Sequence, residues 1–395
     1  MISEKMKKLA GGNSAIRAMF EEGNRLAALY GRENVYDFSL GNPNFPAPAA
    51  VSEAIKDLVD NFDSVTLHGY MSNAGFEDVR AAVAASLNAR FDTQFGQDNI
   101  LMTVGAAGGL NVILKTLLNP GDEVITFSPY FVEYGNYVGN YDGKLVVVPS
   151  DPNTFQPDPE SLRRAVTDKT KAIIINNPNN PTGVIYSEDT VKAIAAVLEE
   201  REKALGISIY LISDEPYREL AYDGAEVPYL TKFYKNTIVG YSWSKSLSLP
   251  GERIGYLVIP GVIDDYDLIW TAAAIANRVL GFVNAPSLMQ KAVARCLDAK
   301  VDVGAYDANR QLLFNGLTDC GFECVKPQGA FYMWVKSPVP DEKEFCTAAK
   351  KYNLLLVPGS SFAWPGYVRI AYCVSPDMIK RSLPAFRKLA DEYKK

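Results

Sequence analysis

Between residues 100 and 260 the chain repeats one pattern: a short β-branched run, a turn, then a window with helical spacing. The runs are ILMTVG, DEVITFS, KLVVVP, KAIIINN, SIYLISDE, NTIVGYS and IGYLVIP, and TVKAIAAVLEEREKA is the plainest of the intervening helices. Parallel strands need crossover connections, usually helical, so this alternation predicts an α/β fold with a mainly parallel seven-stranded sheet flanked by helices. Open sheets of this kind bind ligands at the carboxyl ends of their strands. The unusual residues collect in the loops that follow the runs: Gly105, Pro129, Asn176 to Gly183, Asp214 and Lys245.

The flanks read differently. SAIRAMFEEGNRLAALYG spaces its apolar residues as a helix ending on Gly31, VYDF is a short strand running into a Gly and Pro loop, and VSEAIKDLVDNF is a second amphipathic helix. A third helix is expected near 76–90, and the helix after ILMTVG is expected to open at Gly109. The last 110 residues, with helices near 285–317 and the strands FYMWV and YVRIAYC, predict a smaller α+β domain. The expected division is an arm and part of the small domain at 1–47, a large domain at 48–283, and a small C-terminal domain at 284–395. With 48% of 395 residues hydrophobic, there is apolar material for both cores.

A net charge of −6 and the absence of a basic run argue against a nucleic-acid partner. No apolar stretch follows the lysines of MISEKMKKLAGG, and no window approaches the roughly 18 apolar residues of a membrane helix, so a cytoplasmic protein with no membrane partner is expected. The five cysteines are odd in number and lack paired CxxC spacing, which predicts buried free thiols and no metal site. His68 is the single histidine, so a Ser-His-Asp triad or a histidine-based metal centre would rest on it alone; a packed loop residue is the expectation there.

The stretch SWSKSLSLPGERIGY surrounds Lys245 with serines and follows it with Arg253. A lysine amine forms a Schiff base when its pKa is lowered or a cofactor holds it as the imine. Ser242, Ser244 and Arg253 offer hydroxyls and a bidentate fork suited to a phosphate, and a phosphate beside an imine-forming lysine points to pyridoxal phosphate. Such a ring needs an acid at its nitrogen, which Asp214 supplies at the end of SIYLISDE, although charges at strand ends are common. Its phenolic oxygen needs donors, for which Asn180 in NNPNNPTG and Tyr217 are suitable types; a plain Pro and Asn turn is the alternative. The turn TVGAAGGL can aim the amides of Gly105, Ala106 and Ala107 at the phosphate from a helix N-terminus, and its small residues equally suit close packing.

With these residues in place, the chain resembles the class I/II aminotransferases, fold type I pyridoxal phosphate enzymes of the aspartate aminotransferase kind. SWSKSLSLPGERIGY is similar to that family's lysine signature, and NNPNNPTG, SDEPY and YVRIAY match its other landmarks in order, from LGNPNFPAP to the C-terminal strand. The resemblance implies that Lys245 links to the cofactor and carries the proton between substrate Cα and the cofactor C4′, that Asp214 pairs with the ring nitrogen, and that Asn180 and Tyr217 contact the phenolate. Phosphate contacts fall to Ser242, Ser244, Arg253 and the turn amides. Phe131 falls where the family stacks an aromatic ring, though a core role suits it too; Arg369 matches the substrate α-carboxylate clamp, and Gly41 contributes its backbone. Tyr70 matches a tyrosine donated across a homodimer interface to the partner's phosphate. Arg17 lies in an arm that in this family closes over the site, where it is a candidate for a distal carboxylate or merely a solvated helix residue.

Two departures stand out. GAAGG has alanines where many relatives place a hydroxyl or a lysine, and Glu252 sets a carboxylate before Arg253. The implied reaction moves the amino group of an L-amino acid, aspartate first with alanine and aromatic donors close behind, to an oxo acid such as 2-oxoglutarate with ping-pong kinetics. Rival readings are a C–S lyase or decarboxylase on the same fold, a ligand-sensing regulator, for which the first 35 residues make a poor DNA-binding domain, and a dinucleotide oxidoreductase, which lacks its GxGxxG.

Overall fold

The structure, a computed structural model, describes residues 2–11 and 15–394. Its centre is a seven-stranded sheet of β1 (Ile100–Thr103), β2 (Glu123–Ser128), β3 (Lys144–Pro149), β4 (Thr170–Asn176), β5 (Tyr210–Asp214), β6 (Thr237–Ser242) and β7 (Gly255–Val258). The spatial order is β1-β7-β6-β5-β4-β2-β3. Neighbours from β6 to β3 pair in parallel, and β7 runs antiparallel to both β6 and β1. Helices cover both faces, so β2, β5, β6 and β7 are buried at every position and read as continuous apolar runs. The edge strand β3 is only partly covered, with Lys144 exposed at its start and Val148 buried near its end.

All seven predicted strands form. The helix predicted from Gly109 instead spans Gly105–Leu117. Glycine lowers helix propensity, and packing overrides it here: a Cβ on Gly109 would stand 3.2 Å from Leu257, and one on Gly108 3.3 Å from Val104. The glycines let the helix lie close on β7. The predicted N-terminal helices span Ala15–Tyr30, Ala49–Asn61 and Glu77–Phe91.

A four-stranded sheet contains β8 (Tyr332–Lys336) and β9 (Tyr367–Ala371), paired antiparallel, with Val357–Pro358 and Cys324–Val325 at its edges. Beside it, Tyr36–Asp37 pairs in parallel with Leu354–Leu355. The C-terminal helix Pro376–Asp391 starts on a Ser375 cap whose side chain accepts from Met378 N–H, and it buries Ile379, Phe386 and Leu389. The helix Ser287–Ala294 packs away from this sheet, with Met289 and Val293 in one apolar cluster with Val51, Leu58 and Val83.

Four of the five cysteines are buried, Cys324 is partly buried, and all five are free thiols. Among the described residues no helix is long and apolar enough to cross a membrane.

Candidate active site

The parallel strands β2, β4, β5 and β6 share one carboxyl edge, and their next residues converge there. β7 adds to the same edge from the opposite direction: Ser242, the last residue of β6, pairs with Gly255, the first of β7, so Arg253 is returned to the neighbourhood of Lys245. The cavity between this edge and the small sheet holds about 310 Å³. Ala106, Ala107, Phe131 and Asn180 line it from the first loops, and Asp214, Tyr217, Ser242, Ser244, Lys245 and Arg253 from the later ones. Gly41 and Arg369 close it from the other side.

Lys245 sits in the short helix Trp243–Ser246, and its Nζ donates to the Gly41 carbonyl at 2.7 Å. Desolvation pushes the amine down to about 8; Cys373 opposes it, and the Arg369 and Arg253 cations each add a smaller downward push. A sizeable neutral fraction near that pH makes it a competent nucleophile and base.

Asp214 ends β5 and is 4% exposed. Its Oδ2 accepts from the Tyr134 hydroxyl at 2.6 Å, whereas Oδ1 is buried with no partner among the described residues. Desolvation pushes this carboxyl up to about 7, against the Tyr134 hydrogen bond, and the neighbouring Glu215 charge adds to the rise. A folded-state pKa raised above the unfolded value means stability that is full below the unfolded pKa and lost as pH climbs through the folded one. The cofactor-free protein is therefore expected to lose stability between about pH 4 and pH 7, and Asp214→Asn to flatten that slope and to melt higher than the parent near neutrality. Thermal melts of both cofactor-free proteins across this range are the check; parallel slopes would refute it.

Arg369, in the middle of β9, is 2% exposed and enters no ion pair among the described residues. Its Nη1 donates to Asn180 Oδ1 at 3.0 Å and its Nη2 to the Ser39 carbonyl at 2.6 Å, leaving Nε without a partner among the described residues. A buried cation with an unused donor is costly unless a ligand completes it.

The opposite wall begins at Gly105, whose φ of +67 is left-handed, and a Cβ there would stand 2.8 Å from Arg253 Nη2. The left-handed backbone is what calls for glycine there, since the guanidinium end of Arg253 could shift. Arg253 also occupies the left-handed region, at φ 51, and its Nη1 donates to the Pro250 carbonyl at 3.0 Å.

Three expectations fall elsewhere. Tyr70 is 92% exposed and takes no part in this chain's own cavity. His68 is not packed: it is exposed at the end of the helix Ser64–His68, where the chain turns outward ahead of Tyr70. The Arg17 side chain lies outside the described residues. Glu252 is exposed, as a solvent-facing carboxylate should be.

Sequence reasoning missed Tyr134 and Tyr332, and it marked Asn176 only as the start of a loop, without a role. Tyr134 lies three residues beyond Phe131, their rings edge-to-face at 5.7 Å, so helical spacing in SPYFVEYGNY carried a signal. Asn176 Oδ1 accepts from the Asn180 amide at 2.7 Å and its Nδ2 donates to the Asp214 carbonyl at 2.9 Å, tying two site loops together. Nothing in FYMWV marked Tyr332.

The donor set fits pyridoxal phosphate: an open carboxyl oxygen for a protonated ring nitrogen, an amine of lowered pKa for the aldehyde, and an arginine with hydroxyls and helix-terminal amides for the phosphate. The profile of the aminotransferase class I and II family matches residues 33–386, and the chain belongs to that family of pyridoxal phosphate-dependent, fold type I enzymes. Among its relatives, an aminotransferase from Eubacterium rectale superposes with a TM-score of 0.98 at 48% identity, covering 100% of both chains. A probable aspartate/prephenate aminotransferase of Thermus aquaticus is 33% identical over 88% of this chain and 89% of its own. Aspartate aminotransferase from Thermus thermophilus, solved with maleate, gives a TM-score of 0.86 at 29% identity, with 98% of this chain and 100% of that one covered.

Proposed function

We propose that this aminotransferase takes its amino group from an L-amino acid, aspartate first, and delivers it to a 2-oxo acid such as 2-oxoglutarate. The observation that carries the reading is Arg369: a buried guanidinium, unpaired by any described carboxylate, in the same cavity as Lys245 and Asp214. Such a fork suits the α-carboxylate common to both substrates.

Pyridoxal phosphate, when bound, supplies an aldehyde that condenses with amines and a ring that accepts the electron pair left at Cα. The chain's own groups do the rest. Asp214 holds its open oxygen for the ring nitrogen and keeps a proton there, while Tyr134 fixes the carboxyl plane. Asn180 and Tyr217 donate to the ring's oxygen. Ser242, Ser244, Arg253 and the amides of Gly105, Ala106 and Ala107 seat the phosphate, and Phe131 covers one face of the ring. Lys245, freed as a neutral amine, takes the proton from Cα and returns it at C4′. Arg369 holds the carboxylate so that the Cα–H bond, rather than another, faces Lys245. The Gly41 carbonyl keeps the lysine aimed across the cavity.

The reading includes a homodimer in which Tyr70 of each protomer reaches its partner's phosphate; its exposure, with Val65 81% exposed nearby, supports a covered role in an assembly. It also includes Arg17 as a receiver of the distal carboxylate, a cytoplasmic location, and a division into an arm, a large and a small domain. The packing of the helix Ser287–Ala294 on Val51 and Val83 favours a domain boundary after that helix rather than at 283.

Absorbance of the loaded enzyme, recorded with a panel of L-amino acids and no oxo acid, tests the reaction. Aspartate is expected to convert the visible band to that of pyridoxamine phosphate in one turnover, faster than alanine or phenylalanine. Release of pyruvate and ammonia with the band retained would replace transamination by elimination.

A further inference from the structure

We propose that Tyr332 is a positioning residue that joins the carboxylate clamp to the phenol serving the cofactor's oxygen, an inference that rests on the reading of Tyr217 just given. The register explains its place. Trp334 in β8 lies directly opposite Arg369 in β9, and Tyr332, two residues back on the same face, is the diagonal neighbour that an aromatic side chain can reach. The Arg369 guanidinium stands 4.4 Å from the Tyr332 ring centroid and 4.8 Å from that of Phe362. Two aromatic rings thus hold a cation that has no carboxylate partner among the described residues.

The other end of the side chain meets the cofactor side of the cavity. The Tyr332 hydroxyl lies 2.9 Å from the Tyr217 hydroxyl, the two rings edge-to-face. It also fills the space beside Gly41, where a Cβ would collide with it, and the Gly41 carbonyl is the acceptor for Lys245. One side chain therefore touches the clamp, the phenol and the segment that aims the lysine. When Tyr217 donates its proton to an anionic oxygen in the cavity, its own oxygen must accept, and Tyr332 is the donor in reach. A hydroxyl that accepts while donating is the stronger donor.

Loss of the Tyr332 hydroxyl weakens that donor, so an anionic ring oxygen is less stabilised and the proton it shares is held more tightly. The readout is the pH midpoint at which the loaded enzyme's visible band changes, measured without substrate. Tyr332→Phe is expected to raise it by about 0.5 unit while leaving maleate affinity within about twofold, since the ring under Arg369 remains. Tyr217→Phe alone is expected to raise it further, and Tyr332→Phe added to Tyr217→Phe is expected to change nothing more, because the group it acts through is gone. A midpoint unmoved by Tyr332→Phe, or an additive shift in the double variant, overturns the role of Tyr332 while Tyr217 keeps its own. A midpoint unmoved by Tyr217→Phe overturns both.

Discussion

Replacing Lys245 by alanine is expected to slow the half-reaction with aspartate by at least about 10⁴-fold, the upper range for removing a positioned general base. Among the described residues lining the cavity, Lys245 is the one base whose pKa is lowered, brought to about 8 chiefly by desolvation. Tyr217 and Tyr332 cannot substitute, because burial drives Tyr217 well above its ordinary value and Tyr332 up to about 12. Asp214 is already engaged by the Tyr134 hydroxyl. The variant is expected to retain cofactor, since Ser242, Arg253 and the helix-terminal amides are untouched. Single-turnover absorbance with saturating aspartate gives the rate; a variant keeping more than about 1% of it would mean that another group carries the proton.

Arg369→Leu is expected to lower kcat/KM for aspartate by about 10³-fold, the cost of losing a desolvated charge pair. Most of the loss should appear as raised KM if the clamp serves ground and transition states alike. Arg369→Lys is expected to recover less than a tenth of it, because an ammonium replaces a planar fork and gives up the contacts to Asn180 and Ser39. Steady-state kinetics with each variant decide the matter, and an Arg369→Leu enzyme within tenfold of the parent would remove Arg369 from substrate binding.

The sheet was legible because most strands carry a β-branched apolar run and several end at a turn of unusual composition. Lys245, Asp214, Asn180 and Arg253 were legible for the same reason: each lies within a few residues of a strand end, so strand prediction doubled as site prediction. The start of the helix after β1 was not, since glycines that argue against a helix are there to let it approach Leu257 and Arg253. Tyr332 was hidden because its role arises from register with a strand read as separate in sequence, and tyrosine inside FYMWV looks like any core aromatic. His68 misled because a lone histidine carries no pattern, and its exposure follows from where the loop turns. Arg369 stood out only through the family resemblance, since nothing local to YVRIAY distinguishes a clamp from a strand arginine.

The pairing of Tyr36–Asp37 with Leu354–Leu355, together with the hold of Arg369 on Ser39, fastens the beginning of the chain to its end. During synthesis the large sheet can assemble as its strands emerge and Gly41 can meet Lys245 once that lysine is made, but Ser39 waits for Arg369, more than a hundred residues later. Contacts so distant in sequence are late and slow to form. If the proposed roles hold, the residues assigned to the phosphate and Lys245 itself are in place before the strand that carries Arg369, so the cofactor side of the cavity is expected to form ahead of the substrate side.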